Sequence, residues 1–155
     1  MNVTIVIPTF NNIDYLKLCL KSIKVNSNYE HEVVVHVNEG SDGSLNFVKD
    51  NHINYSYSPT NIGLCSAVNK AAKLSTTDYI LYAHDDMYFC KDWDLYLEKI
   101  VKTQKNNFFY LSGKTINDND INNDFKCGST PNQFNEELFE KFCSLNKSEN
   151  TQGSH

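Results

Sequence analysis

Short apolar, β-branched runs alternate along this chain with stretches of helical period, and that alternation leaves few folds open. Residues 3–8 (VTIVIP) and 33–37 (VVVHV) are nearly continuous apolar runs. A strand that is apolar on both faces must be covered on both, as happens inside a parallel sheet. Residues 53–57 (INYSY) alternate and read as a third strand, 78–83 (DYILYA) as a fourth and 108–112 (FFYLS) as a fifth. Ile13, Leu16, Cys19, Leu20 and Ile23 form a helical stripe, with Asn11 or Asn12 placed to cap it. Leu64, Ala67, Val68, Ala71 and Ala72 form another over 64–74, and Trp93, Tyr96, Leu97, Ile100 and Val101 a third over 92–104. Shorter helices fit 44–51 and 134–144, and 115–133 is polar and turn-rich. Strands that alternate with helices predict an α/β, Rossmann-like fold with a mostly parallel sheet and helices on both faces.

The 155 residues suffice for one domain with its own core, expected over 1–145, with a flexible tail at 146–155 that shows no periodicity. Apolar residues are 40% and charged residues 21%, the balance of a water-soluble globular chain, and no apolar run reaches the roughly 20 residues of a membrane span. No basic leader precedes the first strand, so the expected setting is the cytoplasm, with peripheral association at a membrane left open. Cys19, Cys65, Cys90, Cys127 and Cys143 are scattered and read as reduced thiols. A net charge of -5 argues against a nucleic-acid partner. All 14 basic residues are lysine, so any phosphate must be held by lysine, backbone N–H groups, helix N-termini or a metal, never by an arginine fork.

In open α/β sheets, ligands sit beyond the carboxyl ends of the strands. Four polar clusters fall at such ends: Pro8-Thr9-Phe10-Asn11, the run from Asn38 to Gly43, the loop Ser58–Gly63, and His84-Asp85-Asp86. Two adjacent carboxylates at a strand end repel each other and are eased by a divalent cation, which could bridge them to a diphosphate. The alternative is a pair of acids favoured by a helix N-terminus. Asp118, Asp120, Asn122 and Asp124 superficially suggest a calcium loop, but Asn123 stands where the required glycine belongs and Ser129 where the closing glutamate belongs. Trp93 reads as a core anchor, with the floor of a sugar pocket as its other reading.

The segments VTIVIPTFNN, VNEGSDGS and NIGLCSAVNKAAKLSTTDYILYAHDDMYF, in that order and spacing, resemble the N-terminal half of inverting family 2 glycosyltransferases over roughly the first 95 residues. The resemblance implies a nucleotide-diphospho-sugar transferase fold of the GT-A type. It implies a nucleotide site made by Pro8, Thr9, Phe10, Asn38, Glu39, Asn61, Gly63 and Asp85, with Phe10 stacking on the base. It implies Mn2+ or Mg2+ at Asp86, a nucleotide-diphosphate sugar donor with a UDP-sugar favoured, and a carbohydrate or glycoconjugate acceptor. The chain departs from the family pattern at two places. Asn38 replaces the first of two acids after the second strand, and His84 replaces the first acid of the D-x-D motif. His84 is expected as a neutral ring bonded to backbone rather than a metal ligand.

The family's catalytic base lies on a later segment and finds no match in residues 105–155. The base is therefore expected beyond this chain, with Glu136, Glu137 or Asp124 as fallbacks. The expectation is a truncated portion or a minimal donor-binding domain. A binding remnant without transfer activity is the competing reading. A nucleotidyltransferase is a third, weakened because IPTFNN lacks that class's glycine-rich basic signature.

Overall fold

The computed structural model describes residues 1–113, 116 and 126–146. They fall into two compact units, Met1–Tyr96 and Leu97–His155. The first holds β1 (Thr4–Phe10), α1 (Ile13–Asn26), β2 (Glu32–Asn38), α2 (Ser44–Asp50), β3 (Asn54–Ser58), α3 (Leu64–Ala72) and β4 (Ile80–Tyr82), and α4 (Trp93–Val101) begins at its end. The four strands form one sheet in the order β3-β2-β1-β4, and every pairing is parallel.

That order follows from handedness. The chain steps outward from β1 to β2 to β3, then crosses back past β1 to β4. Right-handed crossovers put helices on opposite faces when the direction of progress reverses. One face of the sheet packs Val6 and Val34 against Ala71 of α3, with Val68 and Ala72 at the margin. On the other, the helix stripe of α1 buries Leu16, Cys19 and Ile23. Coverage on both sides explains why β1 and β2 are almost wholly buried, as their apolar runs require. β4 has one neighbour only, and Ile80 and Tyr82 remain half exposed.

Pro8 sits inside β1, where a missing N–H would ordinarily cost a ladder bond. Thr4 N donates to Tyr79 O at 2.9 Å and Ala83 N donates to Val6 O at 3.1 Å, so the even-numbered residues of β1 face β4. By that alternation Pro8 aims its nitrogen past Tyr82, where β4 has already ended. The proline therefore removes no sheet bond and lets the strand continue to Phe10.

Asp94, buried at 1% exposure, ties the loop after α1 to the start of α4. Its carboxylate accepts from Asn28 N (2.6 Å), Tyr29 N (2.8 Å) and Asn28 Nδ2 (3.0 Å). His31 joins them: Val3 N donates to its Nδ1 at 3.3 Å, which leaves Nε2 to donate to Asp94 at 3.3 Å. Trp93 packs on Phe89 and His31 at ring separations of 4.8 and 4.9 Å and donates Nε1–H to Ser27 Oγ at 3.0 Å. These contacts are those of a core anchor.

The fifth strand expected at 108–112 does not form; the segment has no regular structure, and Phe108 and Tyr110 are 95% and 89% exposed. Apolar, aromatic sequence gives strand propensity, but a strand exists only where a neighbour completes its ladder, and 108–112 has none among the described residues. In the second unit a 3-10 turn (Pro131–Gln133) leads into α5 (Glu136–Asn146). Cys127, Phe139, Phe142 and Cys143 are buried there. The calcium-like run with Asp124, and the tail beyond residue 146, lie outside the described residues. Among the described residues no helix is long and apolar enough to cross a membrane.

Burial holds the pKa of both His31 and His36 below the ordinary histidine range. The unfolded chain then takes up protons first, so the stability these rings contribute is present above about pH 6.5 and lost as pH falls below it. Urea midpoints should therefore drop between pH 7.5 and 5.5, and His36→Gln should shrink that drop. Asp94→Ala should cost roughly 3 kcal/mol or more in the same assay, because several buried N–H groups lose their acceptor at about 1–3 kcal/mol each.

Candidate functional site

The carboxyl ends of β1, β2 and β4 and the loop between β3 and α3 meet around one open cleft of about 340 Å³. Its walls are Pro8, Thr9, Phe10, Asn11 and Asn12 after β1, Asn38 at the end of β2, Asn61, Gly63 and Leu64 before and at the start of α3, and His84 and Asp85 after β4. The cleft opens where the chain reverses its progress across the sheet, between β1 and β4. Seven of the residues singled out from the sequence (Pro8, Thr9, Phe10, Asn38, Asn61, Gly63 and Asp85) share this wall. Glu39 and Asp86 flank it. Glu39 is exposed at φ 62° and its Oε1 accepts from Ser41 Oγ at 3.0 Å.

A polar lock joins β1 to the acidic segment. Thr9 Oγ1 donates to Asp85 Oδ2 at 2.6 Å and Asn12 Nδ2 donates to Asp85 Oδ1 at 3.1 Å. Both carboxylate oxygens are engaged, which fixes the side chain and the turn that carries it. Burial pushes the Asp85 carboxyl above its usual range; the Thr9 and Asn12 bonds pull it back, and the Asp86 charge raises it again. Cys19, beneath this turn, lies 3.7 Å from His84 O. Burial, with the two Asp charges, pushes its thiol up to about 12, so it is an inert packing group. Asp86 is exposed, and its carboxylate has no hydrogen-bond partner among the described residues. No group of three or more His, Cys, Asp or Glu there is placed to hold a metal ion.

Two sequence expectations are corrected. Asn12 does occupy the N-cap position of α1, and its carbonyl accepts from Leu16 N at 3.0 Å, but its side chain makes no capping bond. Ile13 N is bonded instead by Asp42 Oδ2 at 2.7 Å, while Asp42 Oδ1 accepts from Ser44 N and Oγ at 3.0 and 2.6 Å. One carboxylate from the β2–α2 loop thus serves the starts of two helices, a relation between residues 29 apart that no local pattern reveals. Burial raises the Asp42 carboxyl, but these bonds outweigh it and leave the group below its usual range. The second correction is His84, whose ring pairs with a side chain rather than backbone: Nε2 is 2.9 Å from Tyr82 Oη.

Freed from capping, Asn12 reaches Asp85, and Asn11 accepts from Ser41 N at 2.9 Å with its backbone at φ 48°. Asparagine is among the few residues that tolerate this region, so the Asn11-Asn12 pair carried a signal that helix-capping rules misassigned. On the β3 side, Asn61 Oδ1 accepts from Gly63 N at 2.9 Å and Asn38 Oδ1 accepts from Ile62 N at 3.1 Å. Gly63 has φ 79°, and nothing lies within 4 Å of where a Cβ would stand, so the backbone angle and not space demands glycine. Beneath Asn38, buried His36 pairs through Nδ1 with Ser56 Oγ at 2.7 Å, and its Nε2 has no partner among the described residues.

The family model described as glycosyl transferase family 2 matches residues 4–153, and the chain belongs to that family. An uncharacterised glycosyltransferase of Mycoplasma genitalium is 36% identical over 98 residues, which cover 57% of this chain and 33% of that protein. Among solved structures, S. aureus TarS 1–349 in complex with UDP superposes with a TM-score of 0.59 at 23% identity, over 66% of this chain and 32% of that one. The mannosyltransferase PcManGT from Pyrobaculum calidifontis, in complex with GDP-Man and Mn2+, gives 0.52 at 19%, over 63% and 31%. The chain spans about a third of the length of each of these relatives.

Asp42→Ala should lower stability by about 1–2 kcal/mol in chemical denaturation, the usual worth of a lost cap. Asn12→Ala should lower it by clearly less.

Proposed function

We propose that the cleft binds a nucleoside-diphosphate sugar, a UDP-sugar by preference, and that the protein passes the sugar to a hydroxyl of a carbohydrate or glycoconjugate. The observation that carries this reading is electrostatic. Among the described residues the cleft is walled by uncharged side chains, His84 and one carboxylate, with a second carboxylate, Asp86, beside it, and by no lysine. A diphosphate entering such a site needs a cation brought in with it. Asp86 suits that role, being exposed and unbonded next to a locked Asp85. A hard ion such as Mg2+ or Mn2+ is held by one or two carboxylates with phosphate and water oxygens completing the shell, so the lack of a three-residue cluster fits this donor set. When bound, the ion would neutralise charge on the departing diphosphate.

The remaining roles belong to the chain itself. Thr9 and Asn12 hold Asp85 so that the turn carrying Asp86 keeps its place against β1. Phe10, 47% exposed at the end of β1, offers a ring for the base to stack on. Asn61 and Gly63 shape the loop that closes the cleft on the β3 side. In this reading Glu39, exposed next to Asn38 in the chain, would meet a ligand that overhangs the end of β2.

Calorimetric titration with UDP tests this reading. Mn2+ or Mg2+ should raise affinity for wild type, and EDTA or Asp86→Ala should abolish that gain. Equal affinity with and without chelator would remove the ion from the site. Phe10→Ala should weaken binding by about 1–3 kcal/mol at a temperature where the variant remains folded, the usual worth of base–aromatic stacking.

A further inference from the structure

β3 is an outer strand of the sheet, paired with β2 alone among the described residues. Glu39 N donates to Ser58 O at 2.8 Å, so Ser58, and by alternation Ser56 and Asn54, turn their backbone groups toward β2. Tyr55 and Tyr57 therefore turn theirs outward. The flanking positions of the same parity are stopped. Ile53 N already donates to Val48 O at 3.0 Å, and Pro59 has no N–H. The edge thus offers a short, bounded set of ladder groups: the N–H and C=O of two tyrosines.

Sheet edges are ordinarily guarded against pairing by lysine, by other charges or by proline. Residues 53–58 (INYSYS) contain none of these, and no charged residue stands between His52 and Lys70. The strand is also symmetric about its centre, Tyr55-Ser56-Tyr57. A second copy laid antiparallel on a two-fold axis at Ser56 sets each Tyr55 opposite the Tyr57 of the other copy. All four outward N–H groups then meet a C=O. The next rung pairs Ile53 with Pro59, where neither residue has an N–H to give, so the ladder ends without an orphaned donor. Tyr55 and Tyr57, two positions apart, share one face of the sheet, and their rings form two cross-strand aromatic pairs. Tyr57 is 42% exposed in the single chain.

We propose that the β3 edge is a self-association surface whose partner is a second copy of this chain, joined β3 to β3 into one continuous sheet. A foreign extended peptide meets the same backbone groups, but only an identical strand repeats the tyrosine pairing about an axis and brings no like charge against like. Four ladder bonds and two aromatic pairs make a contact smaller than a standard stable interface, so the association is weak and concentration-dependent. Antiparallel strands carry their carboxyl ends in opposite directions. The two clefts therefore open on opposite edges of the joined sheet, and association neither supports nor obstructs donor binding.

Sedimentation equilibrium of the chain over roughly 10 µM to 1 mM, the span of weak contacts, should show the average mass rising from one chain toward two. Tyr57→Lys supplies the absent guard at an exposed side chain and should raise the concentration of half-association by about tenfold or more. Register is read by cross-linking with copper–phenanthroline as the oxidant, in a Cys65→Ser background that removes the exposed native thiol. Ser56→Cys lies opposite itself with Cα atoms about 4.5 Å apart, within the span of a disulfide. Asn54→Cys lies opposite Ser58 and should be captured far more slowly. Thermal melts confirm that each variant is folded. A chain that stays monomeric throughout the range would overturn the proposal. So would association that Tyr57→Lys leaves unchanged, or equal capture at positions 54 and 56, which would place the contact on another surface.

Discussion

β1 has parallel neighbours on both sides, and the chain reaches them by opposite routes: outward through α1 to β2, and back across the sheet through α3 to β4. That reversal leaves a gap between the connections at the carboxyl end of β1, and the cleft occupies it. Thr9 and Asn12 close the bottom of the gap by bonding both oxygens of Asp85. Without that lock the turn after β4 would be tethered to β1 only by the short ladder at Thr4–Val6. The two acids would then lose their fixed distance from Asn38. Pro8, which has no N–H to offer, stands where β4 has already ended, so β1 runs on to Phe10 without losing a sheet bond.

Much of this was legible in the residues. The strand signals located β1 to β4 within about two residues: β1 and β2, buried on both faces, by unmixed apolar runs, β3 by its alternation and β4 by a short apolar run that ends at His84. The same strand ends, taken with the rule that ligands of open α/β sheets sit beyond the carboxyl ends of the strands, brought seven expected site residues to one cleft. Three features were not legible, for one reason. The double service of Asp42 to α1 and α2, the use of Asn12 on Asp85 and the orientation of the Asn38 amide by Ile62 each depend on partners 24 to 73 positions away. Local propensity registers an asparagine after a strand as a cap because it has no knowledge of the long-range partner that competes for it. Residues 108–112 failed in the opposite sense: their propensity is real, but the partner that would realise it is not among the described residues.

Charge gives the cleft its chemical character. The sequence has no arginine, and among the described residues no lysine lines the cleft, so the described wall offers a diphosphate no lysine or arginine charge. In the proposed reading the acidic pair divides its roles: Asp85 is bonded to Thr9 and Asn12, and Asp86 remains available to a cation. At the opposite end of the cleft, Asn38 and Asn61 are uncharged and accept from the backbone of the β3–α3 loop. The chain belongs to glycosyl transferase family 2 and spans about a third of the length of its relatives, so donor binding is the part of the proposed reaction to examine first.

The central claim is that a nucleoside diphosphate binds at the carboxyl ends of the strands, across β1. Amide chemical shifts of the isotope-labelled chain, followed during titration with UDP and Mn2+, address it directly. Perturbed resonances should cluster at Thr9–Asn12, Asn38, Asn61–Leu64 and His84–Asp86. Those at the opposite edge, Val3, Glu32 and Thr76, should stay in place. The paramagnetic ion should broaden Asp85 and Asp86 most. Saturable shifts confined to the opposite edge, or none at all at millimolar UDP, would contradict the claim.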